Sequence, residues 1–349
     1  MDLREQLRVF DKRYMGKRLK YIDIVKFFGI FLLFIEHTGK WTELGGKYNY
    51  LKIWICSFHM PLFFIIYGMV VSPKYLNGFK EWKSFFDKKV KSLLIPYLIW
   101  GMIYTHSIDT NFFKGMAYAT NPSLGYAQTN QVLWFLPVMF ISTILHQIIM
   151  QFKNKKSNGW VMFIVFAVIC GFLSLILKNI RGDWGIFWGI DIALTGEIFI
   201  LIGYLLKHSM EILYQKKRTI VAICGVACIC VGAYLAQINP PTECWVTIMA
   251  LAYYGKSYIL FLFTAVLDTI GICCLAILLE KVTALVWMGE GSLFLMAVHY
   301  IIFPYTISLS TQLVYNSIGI ALLNAVLCTI VCIPALFFIN YYIPILKGK

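Results

Sequence analysis

Long apolar runs, separated by short polar or basic stretches, make up most of the chain. Ten of them predict helices, at about 21–38, 52–72, 91–108, 131–150, 159–178, 187–206, 219–236, 257–279, 284–304 and 316–343. A helix rises 1.5 Å per residue, so about 20 apolar residues cross a hydrocarbon core roughly 30 Å thick. In lipid each backbone N–H and C=O must be paired within the protein, and a helix pairs its own. The pattern therefore predicts an all-α, polytopic integral membrane bundle of about ten transmembrane helices.

The interruptions alternate in charge. The opening segment 1–20, MDLREQLRVFDKRYMGKRLK, is basic and amphipathic and reads as a cytoplasmic lead-in. SPKYLNGFKEWKSFFDKKVK, FKNKK, KHSMEILYQKKR and the closing KGK are basic too, whereas 39–51, 109–130 and 237–255 are poorer in Lys and Arg. Cytoplasmic loops concentrate Lys and Arg, so both termini are expected in the cytoplasm. No soluble domain or long linker interrupts 21–349, which reads as a single membrane domain. Segment 237–255, with Pro240-Pro241, is expected outside and partly re-entrant.

Composition supports this placement: 60% of the 349 residues are hydrophobic and 14% charged, and the mean hydropathy is +0.73, beyond the range of soluble domains. A net charge of +14 would suit nucleic acid, but the cations fall mainly in loops and at the ends, so no nucleic-acid partner is expected. Most of the ten cysteines lie inside apolar runs, where a thiol acts as a small hydrophobe. Cys228/Cys230 and Cys273/Cys274 lack zinc or redox spacing, and no metal is expected. No cleavable signal peptide precedes the first apolar run.

Candidate chemistry begins in that first run, YIDIVKFFGIFLLFIEHT, which holds Asp23, Lys26, Glu36 and His37. Ionisable groups cost several kcal/mol at bilayer depth, so such a segment marks a candidate site. Lys26 and His37 stand eleven residues apart, about 16 Å along the axis and within about 20° of a whole number of turns, hence on one face. His59, in FHMPLFFIIYG, is expected about a third of the way down the next helix and facing the same cavity, since helices joined by a short loop are usually neighbours. Glu36 leaves its helix about 100° from His37 and is expected to orient His59 or another helix. The alternative for either histidine is a helix cap or a satisfied buried polar group.

Glu197 and Asp268 fall near mid-membrane, where a carboxylate needs a partner or a cavity. Glu197 is a candidate for a catalytic or orienting role. Glu290 lies in GEGS, where backbone amides would meet an oxygen of a bound ligand, unless the small residues serve a close helix crossing. His299 is expected to line the site, and Ser292 and Tyr67 are candidate hydroxyl donors. His106, His146 and His208 are expected at the interface. Trp134, at the outer start of a helix, is expected in an interfacial aromatic belt or as a stacking platform for a ligand ring. Lys88 and Lys89, with Lys91, lie near the cytoplasmic face, where they would meet phosphate or anionic lipid.

These motifs carry a resemblance. YIDIVKFFGIFLLFIEHT is similar to the first helix of the membrane acyltransferase-3 family: a basic residue, ten apolar positions and a histidine. FHMPLFFIIYG, KKVKSLLIPYLIW, LWFLPVMF and GEGSLFLMAVH resemble its later motifs, in order over most of the chain, with the sugar O-acetyltransferase branch resembling fucose 4-O-acetylases most similar. The resemblance implies transfer of an acyl group, usually acetyl from cytoplasmic acetyl-CoA, to a hydroxyl of a cell-envelope polysaccharide or glycolipid. It implies motif roles for Lys26, His37, His59, Lys91, Trp134 and His299. Lys26 stands where the family often has Arg, keeping a cation but losing the bidentate fork, and Ser92 stands where a further Arg is frequent.

The expected assignment is therefore catalytic for His37, His59 and Glu197, donor-binding for Lys26, Lys91 and Glu290, and acceptor-binding for Trp134 and His299. Acetyl-CoA, the glycan or glycolipid acceptor and the lipid bilayer are the expected partners, with a homo-oligomer left open. A transporter or flippase of a polar metabolite or glycolipid would also need intramembrane His, Glu and Lys; thioester cleavage separates the two.

Overall fold

The computed structural model describes residues 19–39, 42–72, 74–104, 110–118, 132–152, 159–182 and 185–342. Nearly all of the predicted 1–20 lead-in, most of 109–130, His106 and the closing KGK lie outside them. Among the described residues the regular elements are helices, with one isolated bridge between Ile248 and Tyr253. In chain order they are α1 (Lys20–Thr38), α2 (Lys47–Val70), α3 (Gly78–Lys89), a π turn (Val90–Leu94), α4 (Ile95–Tyr104), α5 (Thr110–Ala117), α6 (Phe135–Gln151) and α7 (Gly159–Ile180). After a short 3₁₀ turn come α8 (Ile190–Tyr214), α9 (Arg218–Ile238), α10 (Tyr258–Leu278), α11 (Thr283–Glu290), α12 (Ser292–Leu313) and α13 (Ser317–Tyr342).

Among the described residues seven helices are long and apolar enough to cross a bilayer: Lys47–Val70, Val161–Ile180, Phe187–Tyr214, Arg218–Ile238, Tyr258–Leu278, Ser292–Leu313 and Ser317–Ile339. The protein is a polytopic helical membrane bundle. α1, with 19 residues, also has spanning length but carries Lys20, Asp23, Lys26 and Glu36. It is surrounded by other helices: most of its side chains are buried, against α2, α10, α11, α12 and α13. α7 and α9 instead expose apolar side chains such as Ile164, Val168, Phe172, Ile223 and Val226. In a bilayer those faces meet lipid.

Three predicted elements differ. The second helix starts at Lys47, about a turn earlier than predicted, which draws Tyr48 into it. The predicted helix 91–108 follows amphipathic α3 and is divided between the π turn and short α4, which ends at Tyr104, with 105–108 outside the described residues. Pro96 has no N–H for the Ser92 carbonyl and its ring crowds that turn, and a π turn relieves the clash by widening the helix. The predicted helix 284–304 breaks at Gly291 into α11 and α12.

α6 begins inside the bundle. Its first residue, Phe135, packs edge-on against Phe63 and Phe64 at ring-centroid distances of 5.6 and 5.2 Å. These lie about 25 Å along α2 from Lys47 at 1.5 Å per residue. Segment 239–257 is partly drawn inward, burying Met249, Ala252 and Tyr254.

Ring contact between Tyr21 and Tyr214, at 5.8 Å, places the start of α1 beside the end of α8. The Gln151 amide oxygen accepts from Leu76 N–H at 3.0 Å, which brings the ends of α2 and α6 together. Lys74, Lys88, Lys207, Lys216, Lys217 and Arg218 lie in or next to the segments that close this end, hereafter the basic end. His37 lies toward the other.

Glycines set close helix crossings, one of them between α2 and α8. A Cβ at Gly68 would stand 2.1 Å from the Ile200 carbonyl oxygen, and one at Gly203 2.0 Å from that of Ile65. Small residues let helix backbones approach within a membrane. Gly203→Leu should therefore destabilise the detergent-solubilised protein by about 3 kcal/mol or more, since backbone cannot yield as a side chain can. Gly45→Ala, with nothing within 4 Å of the added carbon, should leave the unfolding transition unchanged.

Candidate active site

Glu36 and His37 occupy the last turn of α1, whose end is tied down from two sides. The Tyr48 hydroxyl of α2 lies 2.8 Å from the Glu36 carbonyl oxygen and 3.0 Å from that of Ile35, and accepts from Gly39 N–H at 3.0 Å. Asn324 of α13 donates to the Thr38 hydroxyl at 3.0 Å. Carbonyls left unpaired at a helix end are thus partly satisfied by a neighbouring helix.

His37 Nδ1 lies 2.8 Å from His299 Nε2, while His37 Nε2 lies 3.0 Å from Glu36 Oε2. His299 Nδ1 in turn lies 2.6 Å from the Met296 carbonyl oxygen. Lys52 Nζ stands 3.3 Å from the second Glu36 oxygen. Phe34 and Phe303 flank His299 at 5.3 and 5.0 Å, and the Tyr300 ring stands edge-on to His37 at 5.4 Å.

A carbonyl cannot donate, so His299 Nδ1 carries hydrogen, and the two imidazoles share one hydrogen between them. That hydrogen sits on His299 Nε2 when His299 is imidazolium, with the Glu36 carboxylate beside His37 as counter-charge. Lys52 and the negative end of the α1 dipole bear on the same turn.

Glu36 does not point away from His37 as expected. Their Cα–Cβ bonds diverge by about 100°, but in the final turn no following turn separates them, and the longer side chain curls back to the ring. Lys52 of α2 pairs with the Glu36 carboxylate. His59 lies seven residues further along, about 10 Å by helix rise, and donates through Nδ1 to the Ile55 carbonyl of its own helix at 2.8 Å.

Glu197 belongs to a second polar cluster. Its Oε1 lies 3.0 Å from His146 Nδ1, and their exposures are 0% and 1%. The interfacial position expected for His146 is therefore corrected: α6 starts deep, and its residues near Gln151 are still covered by α8. Lys89, at the end of α3, donates to the Tyr67 hydroxyl at 2.7 Å and lies over the Tyr67 and Phe85 rings at 4.6 and 5.6 Å. Tyr67 follows Lys52 by fifteen residues, so this cluster lies about 22 Å from the His37 cluster along α2.

Other predicted residues are spread through the bundle. Lys26 pairs with Asp23 at 3.1 Å, one turn back on α1. Lys91 is exposed in the π turn, and Glu290 is half-buried. A Cβ at Gly289 would stand 1.8 Å from the Asp23 carbonyl oxygen, so GEGS does form a close crossing, of α11 over α1. Trp134 is 6% exposed and precedes deep-starting α6, a correction to its expected outer position. Asp268 accepts from Trp54 Nε1 at 2.9 Å. Among the described residues no group of three or more His, Cys, Asp or Glu is arranged to hold a metal.

Burial pushes the Lys89 ammonium down to about 8, because desolvation disfavours its charged form. Its charge should be present below that pH and lost as pH rises through it. Dimethylation of lysines with labelled formaldehyde should give a Lys89 NMR signal titrating near pH 8 while exposed lysines titrate above 10; Lys89→Arg identifies the signal.

The sequence model of a family described as an acyltransferase domain, acyltransferase-3, matches residues 19–339. Searches of curated proteins and of solved structures found no match. The matched span begins at the foot of α1 and reaches nearly the end of α13, taking in both polar clusters, and the chain therefore belongs to the membrane acyltransferase-3 family.

Proposed function

We propose that this membrane acyltransferase moves an acetyl group from cytoplasmic acetyl-CoA to a hydroxyl of a cell-envelope polysaccharide or glycolipid. The observation that carries the reading is the Glu36–His37–His299 chain, in which two imidazole nitrogens from distant helices meet at 2.8 Å. The charge pattern of the loops supports a cytoplasmic basic end. Coenzyme A would then bring its phosphates to Lys26, Lys91 and Glu290's neighbourhood, and its thioester inward. The acceptor would approach from the opposite side.

In this mechanism Glu36 holds His37 through Nε2, leaving Nδ1 as the base. An acceptor hydroxyl entering between the imidazoles donates to His37 Nδ1 as its oxygen attacks the thioester carbonyl. His299, its ring fixed through the Met296 carbonyl, presents Nε2–H to the oxygen that becomes negative. The tetrahedral intermediate collapses to ester and thiolate, and the proton on His37 passes to the thiolate. Base catalysis of this kind is worth about 10²–10⁴-fold, and a donor to the oxyanion about 10²–10³-fold. In a variant of the same chemistry His37 carries the acetyl group itself before the hydroxyl attacks. His59 and Trp134 have places along the acceptor path in this reading.

Cells producing the protein should gain acetyl esters on purified envelope glycan or glycolipid, read by NMR. His37→Ala at equal membrane level should lose them, and ester persisting in that variant would overturn the assignment. Glu36→Gln and His299→Gln should each lower the transfer rate about 10²-fold with little change in KM for acetyl-CoA.

A further inference from the structure

Helix α3, GFKEWKSFFDKK, sorts its side chains by chemistry. At 100° per residue Phe79, Trp82, Phe85 and Phe86 fall within an arc of about 120°, and Lys80, Lys83, Ser84, Asp87 and Lys88 occupy the other side. None of its residues is buried. The Glu81 carboxylate accepts from Asn77 N–H at 2.7 Å, which closes the start of the helix. Its second half is tied to the bundle: Phe86 packs edge-on against Phe140 of α6 at 5.4 Å, and Lys89 donates to the Tyr67 hydroxyl of α2 at 2.7 Å. Toward the other end Phe79 is 83% exposed, and Tyr75, three residues before the helix, 67%.

The position of α3 says what covers its open half. It joins α2, which ends at Val70, to the π turn that leads into α4, so it lies where the bundle leaves the bilayer at its basic end. A helix with Trp and Phe on one face and Lys on the other rests in the plane of the interface, its apolar face in the boundary between head groups and acyl chains. Four lysines against Glu81 and Asp87 give α3 an excess of positive charge, which favours anionic head groups over neutral ones. Lys83 and Lys80 leave the helix about 40° and 100° from Phe79, on the flank of the apolar arc. From there their long apolar stems carry the ammonium groups to the phosphate level. We propose that α3 is a docking surface for anionic phospholipid, with Phe79 in the acyl boundary and Lys80 and Lys83 on head-group phosphates. Lipid then holds the half of α3 that the protein leaves open, and the bond from Lys89 to Tyr67 fixes the other half to the bundle.

The test is electron spin resonance of the full-length protein in phosphatidylcholine bilayers containing a trace of spin-labelled phosphatidylglycerol or spin-labelled phosphatidylcholine. Phosphatidylglycerol should associate with the protein about fivefold more strongly than phosphatidylcholine, the attraction of one surface lysine for an anionic membrane. Lys80→Gln combined with Lys83→Gln should remove half of that preference or more, whereas Lys216→Gln combined with Lys217→Gln, at the same end on another segment, should leave it in place. No preference in the wild type, an undiminished one in the Lys80/Lys83 variant, or equal loss in the Lys216/Lys217 variant would overturn the inference. Displacement of the labelled lipid by coenzyme A would overturn it too, by giving the lysines to a soluble phosphate. A nitroxide side chain in place of Phe79 should meet dissolved oxygen more readily than an aqueous nickel chelate, and one in place of Ser84 the reverse. Equal access of the chelate to both positions would show that α3 does not rest in the interface.

Discussion

A polar group held at bilayer depth must be answered by another protein group, because lipid offers it nothing. That constraint organises this bundle. The end of α1 holds a carboxylate, an imidazole and its last carbonyls, and α2, α12 and α13 each deliver a side chain to it: Lys52 and Tyr48, His299, and Asn324. Helices far apart in sequence are held in register at one point, and the contact that holds them is also the place where acid–base chemistry is available.

The two polar clusters differ in completeness. At His37 both ring nitrogens have neighbours, so in the proposed mechanism an acceptor must part the two imidazoles to reach Nδ1, which couples its arrival to release of an internal hydrogen bond. At His146 and Glu197 two buried atoms have no partner among the described residues. The glycine crossing of α2 over α8 connects the clusters mechanically: α2 carries Lys52 and Tyr67, and α8 carries Glu197. Backbones this close leave little freedom for the helices to slide, which keeps the separation of the clusters constant.

Membrane character, helical class and most helix positions were legible in the sequence, because apolar run length and loop charge are local quantities set by the solvent on either side. His37 stood out in the sequence as an ionisable group inside an apolar run, while its contact with His299 has no local signal. Where helices stop was less so: Pro96 and Gly291 alter local geometry in ways that apolar composition does not register. The Glu36–His37 contact was hidden, because helical angles describe where side chains leave the backbone and not where they end at a terminus.

The sequence by itself determined that the chain is a basic-looped helical membrane protein with ionisable groups in its first helix. Only the tertiary structure decided which of those groups meet. His37 and His299 are 262 residues apart, and His146 and Glu197 51, and no periodicity relates them. Their meeting depends on how deep α6 starts, where α12 begins after Gly291, and how closely α2 and α8 cross. Those are results of packing among helices, in which a glycine's missing Cβ or a proline's missing N–H moves a distant side chain into or out of reach.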